Sequence, residues 1–213
     1  MGEYLTAVGE SVAEYSEKHS RFIATLRHCE TEQEANSFIE EMRSKYWDAR
    51  HNCFAYSVCK GARSRFSDDG EPHGTAGKPI LDVITGSGVT DIAIVVTRYF
   101  GGILLGTGGL VRAYSKSSKE ALQNAEIAEM VSATVYETKC HYTDHARLLK
   151  LIESYNGIIK DTEFTDNITL TYVLTDDVTE DFLLKLSETF SAKITAKEIC
   201  KQILPFVKKN KGI

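Results

Sequence analysis

Ile92-Ala93-Ile94-Val95-Val96 is an unbroken apolar run with no polar alternate. A strand of that kind belongs in the buried body of a sheet, so the fold must cover it. Glycine-rich loops stand on either side of it. Before it comes Ser67-Asp68-Asp69-Gly70-Glu71-Pro72-His73-Gly74-Thr75-Ala76-Gly77-Lys78-Pro79. After it come Thr97-Arg98-Tyr99-Phe100-Gly101-Gly102 and then Gly106-Thr107-Gly108-Gly109, which opens a helical pattern near Leu110. Glycine lets backbone approach a ligand closely, and these loops also carry charged and hydroxyl side chains. Such an arrangement belongs to a site rather than to a core.

The two segments SDDGEPHGTAGKPIL and VVTRYFGGILLGTGGLVRAYSK resemble the signature of the Impact/YigZ family, and further similarity runs over nearly the whole chain. The resemblance implies an α+β chain of two domains. The N-terminal one is of the ribosomal protein S-five domain-two type. The C-terminal one is ferredoxin-like, similar to domain V of elongation factor G. It implies no established chemistry. Eukaryotic relatives regulate translation by competing for an activator of a stress kinase, and they carry an additional N-terminal RWD domain that this sequence lacks.

The 213 residues fit one large or two small domains, with 42% hydrophobic and 26% charged residues, as in ordinary globular chains. The apolar run at Ile92 is far short of the roughly 20 residues that span a bilayer. The first twenty residues lack the basic-then-apolar order of a signal peptide, so a cytoplasmic chain is expected. The five cysteines are scattered without a Cys-x-x-Cys pair, which suits a reducing compartment. Cys53 and Cys59 fall on one predicted strand, too far apart for a disulfide.

Net charge is −5, with −4 in residues 1–130 and −1 in residues 131–213. A general nucleic-acid binder relies on phosphate neutralisation and carries the opposite sign. Lys60, Arg63 and Arg65, and Lys208, Lys209 and Lys211 in the tail, are the two local basic clusters; either also reads as solvated surface.

Periodicity predicts a strand over Ser20–Cys29 and a helix opened by the capping box Thr31-Glu32-Gln33-Glu34. A strand over His51–Cys59 follows, then the first motif as a loop, a short helix over Ala76–Ile84, a turn at Gly86-Ser87-Gly88 and the buried strand. The next helix carries Leu110, Ala113, Tyr114, Ser117, Ala121 and Leu122 along one stripe. The second half predicts a strand over Thr134–Tyr142, a helix capped by Thr143-Asp144 and closed by Asn156-Gly157, and a strand over Ile158–Phe164. A turn at Asp166-Asn167 leads to the alternating strand Ile168–Thr175, a helix opened by Glu180 and Asp181, and a last strand over Lys193–Ile203. That order is βαββαβ, the ferredoxin-like unit. The expected domains are 1–132 and 133–205, with the boundary where the long helix ends near Ala128–Ala133 and a disordered tail over 206–213.

The Gly101–Gly109 loop is a plausible anion cradle, because amides at a helix start point outward and the helix dipole favours negative charge. Arg98 and Arg112 can add bidentate contacts to phosphate or carboxylate. The same glycines also serve close strand–helix packing. Neither the P-loop nor the dinucleotide pattern is met: Gly-Lys-Ser/Thr is missing, and Val111 stands where the third glycine is needed. Asp68, Asp69, Glu71 and His73 can bind a hard cation or serve as acid–base groups, or they can simply be turn chemistry. His141-x-x-x-His145 lacks the glutamate of a zincin and straddles a predicted strand–helix junction, so no metal or other cofactor is expected.

The candidate ligand residues, for an anion or nucleic acid, are Asp68, Asp69, Gly70, Glu71, Gly74, Thr75, Gly77, Lys78, Arg98, Gly101, Gly102, Gly106, Gly108, Gly109 and Arg112; no catalytic residue is assigned. The leading reading is a non-enzymatic binding protein that contacts the ribosome, RNA or a translation factor, with Arg98 on a sheet face open to RNA backbone. The alternative is a phosphotransferase or hydrolase holding phosphate in the glycine loops, with Asp68 or Asp69 on Mg²⁺ or acting as base. GHMP kinases share the N-terminal fold type, but their Pro-x-x-x-Gly-Leu-Gly-Ser-Ser run is absent.

Overall fold

A computed structural model describes residues 4–206. The chain is α+β and divides into two compact units, Tyr4–Glu129 and Met130–Phe206. The first contains β1 (Tyr4–Val8), β2 (Glu10–Glu17), β3 (Ser20–His28), α1 (Glu32–Lys45), β4 (His51–Val58), β5 (Arg63–Ser67), α2 (Gly77–Ser87), β6 (Ile92–Tyr99) and α3 (Thr107–Asn124). Its main sheet has the order β2-β3-β6-β4-β5 with antiparallel neighbours.

The apolar run lies in β6, at the centre of that sheet. Ile92, Ile94 and Val96 pack with Phe22, Leu26, Ile80, Ile84 and Tyr114, under α2 and α3. Ala93 and Val95 face the other way, onto Phe38, Ile39 and Met42 of α1. Both faces are covered, which is why the strand has no polar alternate. Thr31 caps α1 as expected, its hydroxyl accepting from Glu34 N. The Glu34 carboxylate returns one residue beyond the cap, to Glu30 N at 2.8 Å.

Three strands escape the sequence reading. In β2, Ser11 and Ala13 point inward and glutamates point out, so the buried face is too small and polar to register. β1 is only five residues long, and β5 is an exposed edge strand without an apolar face. Gly86-Ser87-Gly88 is not a separate turn: α2 runs on to Ser87, and Gly88 ends it in the left-handed conformation at φ 72°.

The second unit takes most of β7 (Glu126–Cys140), then α4 (Tyr142–Ser154), β8 (Ile158–Phe164), β9 (Ile168–Thr175), α5 (Asp176–Thr189) and β10 (Ala196–Phe206). The pairings β10-β7-β9-β8 give the βαββαβ sheet. Both helices cover one face, where Tyr136, Leu170, Tyr172, Leu148 and Phe182 meet.

Local details differ from expectation. The long helix ends at Asn124, short of the expected Ala128–Ala133, and β7 carries the chain from one unit to the next. Helix α4 starts at Tyr142 behind His141, so Thr143 and Asp144 sit in its first turn instead of capping it. Helix α5 starts a turn early, and Asp176 and Asp177 are the carboxylates at its positive end. Asn156 does close α4 with φ 55°, and Gly157 N donates to Ile152 O at 2.9 Å. The expected tail lies, beyond Phe206, outside the described residues, as do Lys208, Lys209 and Lys211. Among the described residues no helix is long and apolar enough to cross a membrane.

Candidate functional site

The first motif folds around one carboxylate. Asp68 accepts from the amides of Gly74 at 2.8 Å, Ala76 at 3.1 Å and Gly77 at 2.8 Å, which ties the loop to the start of α2. Burial works against its ionisation, but the three amides outweigh burial and hold the carboxyl below its ordinary value of 3.8. Replacing it with asparagine is expected to cost about 1–3 kcal/mol at neutral pH. A group whose folded pKa is depressed stabilises above its unfolded pKa and loses that contribution as pH falls through the folded value. Urea unfolding of Asp68→Asn beside the parent should therefore show a gap at pH 7 that closes below the ordinary carboxyl pKa.

Asp69 is held just as locally, with Asn52 N on Oδ2 at 2.7 Å and Arg43 at 3.5 Å. The Thr75 hydroxyl donates to Pro72 O at 2.7 Å, and Lys78 pairs with Asp82 one turn along α2. His73 is exposed, 3.7 Å from Asp68. Both aspartates are thus engaged by backbone amides, and no group of His, Cys, Asp and Glu among the described residues is placed to hold a metal.

Glu71 alone turns from that loop into the interior. Its Oε1 accepts from Arg98 Nη1 at 2.6 Å and from the Tyr114 hydroxyl at 2.8 Å, with His51 Nε2 at 3.9 Å. Burial drives the Tyr114 hydroxyl far above its ordinary pKa, so it remains a donor. Beneath it, Cys53 Sγ lies 3.3 Å from Tyr114 Oη and 3.0 Å from Asp68 O. Burial raises that thiol strongly as well, which keeps it a proton-bearing core group rather than a nucleophile.

Arg98 is 6% exposed, between the rings of Phe22 and Phe100, each 5.5 Å from its Cζ. It is therefore not spread on an open sheet face, as the sequence led us to expect. Its Nε is buried with no hydrogen-bond partner.

Arg98 and Glu71 line a cleft of about 380 Å³ together with Arg50, His51, Gly70, Pro72, Phe100, Leu104, Leu105, Gly106, Thr107 and Leu110. His51 Nδ1 is 2.8 Å from Asp69 O, a carbonyl that only accepts, so Nδ1 carries a proton. Of the expected ligand residues, Gly70, Glu71, Arg98 and Gly106 line the cleft.

The other glycines divide by cause. Gly77, Gly101 and Gly109 are held by packing: a Cβ would meet Ser67 backbone at 2.6 Å, His19 backbone at 2.0 Å and Leu105 Cβ at 2.9 Å. Gly74 and Gly102 are turn residues with φ of 75° and 84°. Gly108 stands in the first turn of α3, where a Cβ would lie 3.6 Å from Arg112 Nη1, and Arg112 itself is outside the cleft lining. Sequence reasoning overlooked Arg50, His51, Phe100 and Leu104. The apolar run Ile103-Leu104-Leu105 inside a glycine loop was a local signal in the sequence, and Leu104 is 82% exposed in the fold.

Residues 18–122 match the Impact N-terminal domain, and residues 138–193 match a domain of unknown function, DUF1949. An IMPACT family member of Haemophilus influenzae is 40% identical over 197 residues, covering 91% of this chain and 96% of the relative. The IMPACT family member YigZ of Escherichia coli is 39% identical over 80% of this chain and 85% of the relative. The Protein IMPACT homolog of Dictyostelium discoideum is 37% identical over 103 residues, only 28% of its length. A crystal structure of a hypothetical protein, 34% identical, superposes with a TM-score of 0.61 over 94% of this chain and 98% of that one.

Proposed function

The chain belongs to the IMPACT family, and from that premise we propose that it is a cytoplasmic, non-catalytic binding protein that contacts the ribosome or RNA. The cleft carries this reading: Arg50 and the start of α3 gather positive character in one place of an otherwise acidic chain, beside the His51 ring. The carboxylate within it, Glu71, is already engaged by Arg98 and Tyr114. Engagement of Asp68 by loop amides and of Asp69 by Asn52 N of β4 favours binding over metal-assisted phosphotransfer, which needs a free carboxylate. The translation-regulating role that the resemblance implies for eukaryotic relatives supports the choice of partner; the Dictyostelium discoideum homolog matches 46% of this chain.

Co-sedimentation with ribosomes and separated subunits across a salt series tests it. Three neutralised phosphates predict a loss of roughly 20- to 40-fold between about 50 and 200 mM salt. Arg50→Gln, an exposed substitution, should weaken the association without lowering the melting temperature. Association that is absent at low salt, or insensitive to salt, removes the reading.

A further inference from the structure

We propose that the cleft seats one nucleotide, its phosphate at the N-terminus of α3 beside Arg98 and its base against Phe100 and Leu104. Helix α3 is 18 residues long and starts behind Gly106, which has no side chain to cap it, and its first turn contains no acidic residue. The amides of Thr107, Gly108 and Gly109 precede the first helical hydrogen bond, from Leu110 N to Gly106 O, so they have no acceptor within the helix. Free amides at the positive end of a helix dipole bind oxyanions.

Arg98 supplies the independent observation. It is nine-tenths buried on the wall of the same cleft, and Glu71 occupies only its Nη1. Nε is buried and has no hydrogen-bond partner. An arginine with donors to spare, fixed in place by two aromatic rings and an ion pair, is pre-organised for an oxyanion. Arg50, exposed and without an ion pair among the described residues, adds a second charge at the rim.

The rest of the cleft is apolar. Phe100 is 41% exposed and Leu104 82%, a surface that stacks on a base rather than on a hydrated ion. The volume of about 380 Å³ suits a single small ligand, at the lower end of the roughly 300–1,000 Å³ of such sites. A lone phosphate would leave the apolar wall uncovered, and a nucleoside would leave the amides and Arg98 unmet.

Calorimetric titration of the purified chain with adenosine 5′-monophosphate, adenosine and inorganic phosphate tests the seat. The nucleotide should bind at least about tenfold more tightly than either fragment, since both halves of the cleft contribute. Thr107→Asp puts a carboxylate where the helix dipole welcomes it, so the melting temperature should hold while nucleotide affinity falls about tenfold or more. A 5′-phosphorylated oligonucleotide that competes more strongly than its unphosphorylated form assigns the group to an RNA end; equal competition by both assigns it to a free nucleotide. Adenosine binding as well as its monophosphate, Thr107→Asp binding unchanged, or a peptide carboxylate displacing the nucleotide would each overturn the proposal. The inference does not require ribosome contact: nucleotide binding without co-sedimentation leaves the seat standing and removes the translation reading, and the converse removes the seat.

Discussion

Arg98→Ala is expected to lose about 3–5 kcal/mol of unfolding free energy, because it leaves the Glu71 carboxylate buried without its counter-charge. Both side chains are nearly out of water, at 7% and 3% exposure, and they meet at 2.6 Å. The exposed pair Arg21–Glu14 is the control: it is just as short, but its side chains are 51% and 47% exposed. Arg21→Ala should cost less than about 1 kcal/mol. Adding Glu71→Gln to Arg98→Ala should recover part of the loss, since the amide oxygen still accepts from Tyr114 and no charge stays buried. Urea unfolding of the three variants beside the parent measures all of this. A loss under about 1 kcal/mol for Arg98→Ala would mean that water reaches Glu71 freely and that the ion pair is not structural. Arg98→Ala is therefore a poor probe of binding, and Arg50 and Thr107 are the positions to vary.

Gly101→Ala is expected to destabilise by about 3 kcal/mol or more, at the upper end of what overpacking costs. The added methyl would stand 2.0 Å from His19 C and 2.4 Å from Ser20 N. Both obstacles are backbone, in the hairpin that joins β2 to β3 with Lys18 and His19 at positive φ. That hairpin cannot step aside without breaking the bond from Gly101 N to Ser20 Oγ at 3.1 Å. Gly108→Ala is the contrast, since its nearest neighbour is the flexible end of Arg112 at 3.6 Å. There alanine should be neutral or mildly stabilising, because it favours the helix over glycine by about 1 kcal/mol. Equal melting temperatures for Gly101→Ala and the parent would refute the packing role.

Much of the architecture can be read along the chain because it rests on local causes. The apolar run of β6, the Thr31 cap of α1, the alternation of β9 and the Asn156-Gly157 stop of α4 each follow from side chains a few residues apart. The same is true of the βαββαβ order in the second half and of the two motifs that carry the family resemblance. Of the three strands that went unread, β2 and β5 owe their existence to neighbours in the sheet rather than to a large apolar face of their own.

The use of each motif residue was decided only in three dimensions. Asp68, Asp69, Glu71 and His73 look equivalent in the sequence. Folded, Asp68 ties the loop to α2, Asp69 holds the start of β4, His73 faces solvent, and Glu71 alone reaches Arg98, 27 positions away. The glycines divided the same way, some by backbone contact and some by turn geometry. Periodicity reports how a residue relates to its own strand or helix. Which backbone lies within 3 Å of a glycine, and which donor reaches a carboxylate, depends on chain brought together from distant positions.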